Sequence, residues 1–322
     1  MNKKIYFVAP SFGVTTSPYK ERFKESLKIF KKLGFEYQIG ENVYKSKSKD
    51  ASNTKELRAK EIMDAFNSDS DIIWSVGGGE VMVEILEYLD FTKLKNKTFI
   101  GFSDNTNLTY TLTTINDMET IYGVNAPGFC YLPLEYESLD TYRMINDEKI
   151  FKTYKEFVLN NLDETPIHKY VCDTKAKITA INYTNPVSGR IIGGCLDCLV
   201  TLCGTKYDNT INYINKHKNE GIIFFMEACD LNSISLKRAL IQLKYAGWFD
   251  NVDMFIIGRS NNYFDKSFGI SMNESYISVL KDFNKPILLD ASISHIGPSL
   301  PVKVGGYVNV SYNRNQIKFE YK

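Results

Sequence analysis

The chain has almost no charge to spare: 39 Lys and Arg stand against 38 Asp and Glu, a formal net charge of +1. That balance offers no basic field to nucleic acid or to an anionic membrane, so neither is expected as a partner. Long hydrophobic runs are also missing. No stretch approaches the ~20 apolar residues of a membrane span. The opening MNKKIYFVAPSFG has only five apolar residues before Pro10. That is too short for a signal-peptide core and suits a first buried strand. A cytoplasmic protein is expected.

Cysteine and histidine are too few or too scattered for a metal framework. Cys130, Cys172, Cys195, Cys198, Cys203 and Cys229 follow no regular spacing. Cys195-x-x-Cys198 could be a redox pair or half a zinc site, but no second such pair or paired-His motif follows. Small buried thiols are the preferred reading, because free Cys behaves as a small hydrophobe. The three histidines, His168, His217 and His295, lie far apart in sequence. Nor is there a nucleotide fingerprint: Gly77-Gly78-Gly79 lacks the GxGxxG spacing, and no GxxxxGK[ST] occurs. No metal and no cofactor is expected.

What the chain does contain is alternation. At 322 residues, 43% of them hydrophobic, it can bury the cores of two domains. Apolar runs at 5–9, 35–39, 71–76, 98–102 and 119–124 read as strands. Between them lie an amphipathic segment built on Phe23, Leu27, Ile29 and Phe30 and ended by Gly34, and a second over 53–67 capped by Asn53 or Thr54. Helices over 80–89 and 105–114 complete the series. Short strands separated by helices predict a parallel α/β sheet, whose ligands sit beyond the carboxyl ends of its strands. From Cys130 to about Pro186 the rhythm breaks into an interdomain connection with one predicted helix, DEKIFKTYKEFVLNNL. Apolar runs at 221–226, 252–257 and 286–289 then recur, with helices near 233–246 and 273–283 and a terminal hairpin around Asn313-Arg314-Asn315. We divide the chain into a domain over 1–160 and a connector plus second domain over 161–322.

One stretch carries chemistry. In KTFIGFSDNTNLTYTL an apolar strand turns into a helix at Gly101-Phe102-Ser103-Asp104. Ser, Asp, Asn and Thr there could simply cap the helix. Alternatively, Ser103 stands on a nucleophile elbow, its oxygen exposed at the top of the sheet. A nucleophile needs a base, an orienting carboxylate and an oxyanion hole. His168 lies in the connector and His217 in a polar segment typical of a solvated surface; His295 follows a buried strand, in a loop with Gly and Pro. Glu227 ends the apolar GIIFFME, where a carboxylate is costly unless paired or open to a cleft. Asp290, at the end of PILLD, is the rival. The glycine turn in WSVGGGE lets backbone N–H groups approach a ligand, and the N–H of Asp104 offers a second donor.

SVGGGE, LEYLDFTKL, FIGFSDNTNL, GRIIGGCLDCLVTLCGT, FFMEACD and SHIGPSLPVKVGG occur in the order of the LD-carboxypeptidase family, serine peptidase family S66, which the chain resembles over most of its length. The segment KELRAKEIMDAF is most similar to the branch of microcin C self-immunity hydrolases. The resemblance implies a Rossmann-like parallel-sheet N-terminal domain and a smaller β-rich α/β C-terminal domain. It implies Ser103 as nucleophile, Glu227 as orienter, His295 as base, and Gly78 and Asp104 as oxyanion donors. It implies a substrate that is either a muropeptide with a terminal D-alanine or a peptidyl or aminoacyl nucleotide, and a homodimer. Two departures stand out: Ser294 precedes His295 where the family usually has Gly, and the family's GGN reads Gly193-Gly194-Cys195. A two-lobed small-ligand binding protein would share the layout, but it usually needs an export signal.

Overall fold

A computed structural model describes residues 3–160, 167 and 169–322. The first half alternates as its apolar runs predict: β1 (Lys4–Val8), α1 (Tyr19–Lys32), β2 (Glu36–Ile39), α2 (Lys55–Asn67), β3 (Ile72–Ser75), β4 (Thr98–Gly101), α3 (Thr106–Asn116) and β5 (Thr120–Tyr122). These five strands pair in parallel in the order β5-β4-β3-β1-β2. The order reverses at β1 and β3, and such a switch point opens a crevice beyond the strand ends. There the loop after β1 meets the glycine turn after β3, the N–H of Phe12 donating to Gly78 O at 3.0 Å. Helix α1 packs Phe23 and Phe30 on Phe7 and Trp74 of the sheet, Leu27 is partly buried, and Gly34 ends the helix at φ 87°. Thr54 caps α2 by position but not by side chain; Asn53 instead accepts the N–H of Thr54.

Two predicted helices take other forms. Residues 80–89 contain 3₁₀ turns over Met82–Tyr88. The N–H of Met82 is donated to the buried Asp104 carboxylate, and Arg58 pairs with Glu84, so tertiary anchors set the path of this segment. In the connection, α4 (Tyr136–Ile145) precedes the predicted helix, and DEKIFKTYKEFVLNNL contributes β6 (Ile150–Lys152) and β7 (Glu156–Phe157), its last two residues lying outside the described set. Phe151 explains the change: it is buried between two exposed neighbours, faces Phe319 across the ladder and packs on Tyr321. That is a strand's period of two.

The remaining elements are β8 (Thr174–Lys175), β9 (Thr179–Ile181), β10 (Val187–Cys195), α5 (Leu196–Leu202), α6 (Thr210–His217), β11 (Ile222–Glu227), α7 (Ser233–Tyr245), β12 (Met254–Gly258), α8 (Met272–Leu280), β13 (Ile287–Ala291), β14 (Val302–Val304), β15 (Tyr307–Asn313) and β16 (Gln316–Tyr321). An eight-stranded sheet runs β6-β16-β15-β10-β11-β12-β13-β9, with β10 to β13 parallel and the flanks antiparallel. The terminal hairpin turns at Arg314 and Asn315, both with positive φ, as a tight hairpin turn requires. Strand β14 returns to the first sheet and pairs antiparallel with β5. One hydrophobic core crosses between the halves, joining Phe99, Leu108 and Tyr110 to Ile192, Phe224 and Trp248. Among the described residues no helix is long and apolar enough to cross a membrane.

Candidate active site

Ser103 sits where β4 gives way to α3, with φ 65°. The left-handed conformation costs a residue with a Cβ roughly 1–2 kcal/mol, so neighbours must hold it. They do so on both sides. Asn125 Oδ1 accepts the N–H of Phe102 at 3.0 Å, and the hydroxyl of Tyr122 accepts the N–H of Ser103 at 3.3 Å. The amide of Asn105 donates to Phe102 O at 2.9 Å and to Gly77 O at 2.8 Å, tying the glycine turn to the elbow. A Cβ at Gly101 would lie 2.5 Å from Asn105 Cγ, which is why glycine precedes this turn. Neither Ser103 nor Asn105 caps a helix through its side chain, so capping does not account for the polar run.

Three segments distant in sequence meet at Ser103. His295 Nε2 lies 2.9 Å from Ser103 Oγ, and its Nδ1 lies 2.7 Å from Glu227 Oε2. Glu227 is the last residue of β11 and has no exposed surface. Its other oxygen, Oε1, accepts from the Tyr122 hydroxyl at 2.6 Å. The loop that carries His295 is held from behind. Ser294, where a glycine was the expected residue, is buried and donates its hydroxyl to Arg259 O at 2.7 Å. Gly258 lets this loop close on the end of β12, since a Cβ there would lie 1.6 Å from Ile293 O and 2.8 Å from Glu227 Cβ.

The electrostatics follow from burial and pairing. Burial opposes the charged imidazole of His295, but the Glu227 carboxylate and the Cys229 thiol outweigh it and raise the pKa above the ordinary histidine range. Burial, and then the charge of Glu227, push the Tyr122 phenol well above its usual value. A Cβ on Gly78 would lie 3.2 Å from Ser103 Cβ and 3.5 Å from its Oγ, so the glycine turn borders the serine oxygen. The side chain of Asp104 faces the other way. It accepts from Ser11 Oγ at 2.6 Å, Met82 N at 2.9 Å and Asn107 Nδ2 at 2.9 Å, and burial raises its pKa.

The rival residues are engaged elsewhere. Asp290 accepts from Asn273 at 2.9 Å. His217 is not solvated: it is buried between Asp117 at 2.9 Å and Glu220 at 2.7 Å. His168 lies outside the described residues. All six cysteines are free, and only Cys130 and Cys195 are buried. Cys198 Sγ lies 3.8 Å from Ser103 O, beneath the elbow. Contact with the Cys198 thiol, and then burial, hold the Cys195 thiol well above its ordinary pKa, which suits packing. Among the described residues no group of His, Cys, Asp and Glu could hold a metal ion.

Several supporting residues escape the sequence. Tyr122 is one of 21 tyrosines, and nothing in its surroundings marks it. Asp197 accepts the N–H groups of Cys229 at 2.9 Å, Asp230 at 3.0 Å and Leu231 at 3.1 Å, fixing the loop that follows Glu227. Asn105 left one trace, the glycine four residues before it.

The N-terminal domain model of the LD-carboxypeptidase family matches residues 5–123, and the family's C-terminal domain model matches residues 188–310. A protein of Vibrio cholerae, named provisionally as a carboxypeptidase, is 25% identical over 98% of this chain and 95% of its own. One from Rickettsia conorii, named likewise, is 27% identical over 88% of this chain and 78% of its own. The microcin C7 self-immunity protein MccF, solved as an inactive mutant without ligand, superposes with a TM-score of 0.83 at 22% identity, covering 100% of this chain and 97% of that one. MccF has also been solved with aspartyl sulfamoyl adenosine. An MccF-like protein from Streptococcus pneumoniae, solved with AMP, gives a TM-score of 0.79 at 22% identity over 100% of this chain and 99% of that one.

Proposed function

Since the chain belongs to the LD-carboxypeptidase family of serine peptidases, we propose that it cleaves the L,D-peptide bond before a terminal D-alanine in muropeptides, through an acyl-enzyme on Ser103. The observation that carries this reading is the hydrogen-bonded run from Ser103 Oγ through His295 to the buried Glu227, assembled from residues 192 and 68 positions apart on a turn held at positive φ.

His295 Nε2 takes the proton of Ser103 as Oγ bonds to the scissile carbonyl carbon. The carbonyl oxygen becomes an oxyanion facing the backbone N–H groups of Gly78 and Asp104. Glu227 keeps the ring proton on Nδ1 and stabilises the imidazolium. As the C–N bond breaks, His295 returns the proton to the leaving amine, and D-alanine departs. Water, deprotonated by His295, then releases the shortened peptide and restores the Ser103 hydroxyl. An oxyanion donor in such a site lowers the barrier by ~3 kcal/mol.

The test is mass spectrometry of a purified tetrapeptide ending in D-alanine, incubated with wild-type protein and with Ser103→Ala. Loss of one alanine with the wild type alone supports the reading. If Ser103 reacts with a fluorophosphonate but the tetrapeptide stays intact, the substrate class moves to aminoacyl nucleotides, of which the ligand solved in MccF is an analogue.

A further inference from the structure

Tyr122 ends β5, and its ring is fully enclosed. Its phenol oxygen stands between two groups that the reaction uses differently: it donates to Glu227 Oε1 at 2.6 Å and accepts the N–H of Ser103 at 3.3 Å. A phenol has a single proton. Because Glu227 takes it, only lone pairs remain for Ser103, and the sense of both bonds is fixed. Burial and the neighbouring charge keep that proton in place through the working pH range. The second carboxylate oxygen of Glu227 is on His295.

The geometry points to Tyr122 as a positioning residue: its hydroxyl couples the carboxylate that orients His295 to the backbone of the nucleophile, and so sets both the Ser103 turn and the basicity of the imidazole. This role rests on the hydrolase reading of Ser103, Glu227 and His295. A hydrogen bond to Oε1 draws charge away from the oxygen that faces His295, since linked hydrogen bonds polarise one another. Removing it leaves more charge beside the imidazolium, so His295 becomes a free base only at higher pH. A stronger donor does the reverse. The other titratable groups facing His295, Glu80 after the glycine turn and Cys229 after β11, are unchanged by either alteration.

The experiment measures the rate at which a fluorophosphonate labels Ser103, by intact-protein mass spectrometry from pH 5 to 12, a window that spans the raised His295 pKa of about 11, and so needs no natural substrate. In Tyr122→Phe the rate should fall roughly 10- to 100-fold, the effect of losing one hydrogen bond to a buried charge, and the rising limb should move to higher pH. In Tyr122→3-fluorotyrosine, which keeps the ring and sharpens the donor, the limb should move to lower pH. Variants that lose rate or thermal stability with the limb unmoved would overturn the role, leaving Tyr122 as packing. Should Tyr122→Phe fail to fold, the fluorinated variant decides alone. Wild-type protein that is not labelled at Ser103 refutes the hydrolase reading and this role with it; labelling with an unmoved limb refutes only the role.

Discussion

Glu227→Gln replaces one oxygen of a fully buried carboxylate by an NH₂ group of the same shape. Both native oxygens accept, Oε1 from Tyr122 and Oε2 from His295 Nδ1. An amide accepts at one end and donates at the other, so one of these bonds must reverse. With the NH₂ toward Tyr122, the phenol would receive both that group and the N–H of Ser103, and its own buried proton would have no acceptor, at a cost of about 1–3 kcal/mol. With the NH₂ toward His295 every bond is kept, but Nδ1 becomes the acceptor and the ring proton moves to Nε2. That nitrogen then donates toward Ser103 Oγ, 2.9 Å away, and cannot take its proton. The second arrangement wins, and it is the inactive tautomer. A wrong tautomer in a serine triad lowers turnover by about 10⁴-fold, so kcat/KM should drop roughly 10³- to 10⁴-fold with the fold intact. Tetrapeptide turnover, or fluorophosphonate labelling of Ser103, would be measured beside thermal unfolding. A folded Glu227→Gln protein within tenfold of wild type would refute the role given to Glu227.

Three further outcomes follow from the same geometry. Ser103→Gly should abolish turnover yet raise Tm by about a degree or two, because glycine adopts the φ of 65° without strain; a lower Tm would show that the turn stores no strain. Gly101→Ala places a Cβ 2.5 Å from Asn105 Cγ and should destabilise by about 1–3 kcal/mol. Adding Asn105→Gly, which removes both that Cγ and the Asn105 Cβ 2.6 Å away, should restore part of the Tm but not the labelling rate, whereas strictly additive losses would mean that the two sites do not interact. For His295 the folded pKa is raised, so its contribution to stability is complete below the ~6.5 of a free imidazole and lost as pH climbs through the folded value. Catalysis needs the neutral ring, so kcat/KM should rise over the pH interval in which urea-measured stability declines; stability as pH-dependent in His295→Ala as in wild type would count against the pairing.

Sequence patterns reveal elements whose burial is one-sided and short-range, and hide those decided by distant partners. Helix α1 announces itself through Phe23, Ile29 and Phe30 because only one of its faces is buried. Residues 147–162 carry enough charged residues to look helical, yet Phe151 is claimed by Phe319, far along the chain, and that pairing outweighs local preference. The same contrast runs through the site. Ser103, Glu227 and His295 each end or follow an apolar strand, so their exceptional polarity shows in one dimension. Tyr122 and Asn105 act through a hydroxyl and an amide that any buried turn could contain, and Asp197 works by collecting three backbone N–H groups from another loop. His217 misleads for a related reason: its polar neighbours suggest solvent, but the ring itself is buried and pairs with Glu220 among them and with Asp117 just after α3.

Helix α3 shows why a site divided between two sheets can be held to hydrogen-bond precision. Its first turn follows Ser103, and every residue from Thr106 to Thr114 is buried. Such a helix has no solvent face and hence no clear apolar stripe; its threonines other than Thr109 can be enclosed because their hydroxyls find acceptors and donors along the chain. Thr111 and Thr114 donate back to the carbonyls of Asn107 and Tyr110, while Thr106 accepts the N–H of Cys195 at 3.0 Å from the end of β10. Gly194 makes that last bond reachable, because a Cβ there would lie 2.6 Å from Thr106 Cγ2. Cys195 in turn lies opposite Glu227 in the parallel ladder. A short path of contacts therefore runs from Ser103 through the Thr106 hydroxyl and Cys195 to Glu227, and a second passes through the Tyr122 hydroxyl. With two independent ties between Ser103 and Glu227, a shear of one sheet against the other must break a buried hydrogen bond before it can separate these two residues.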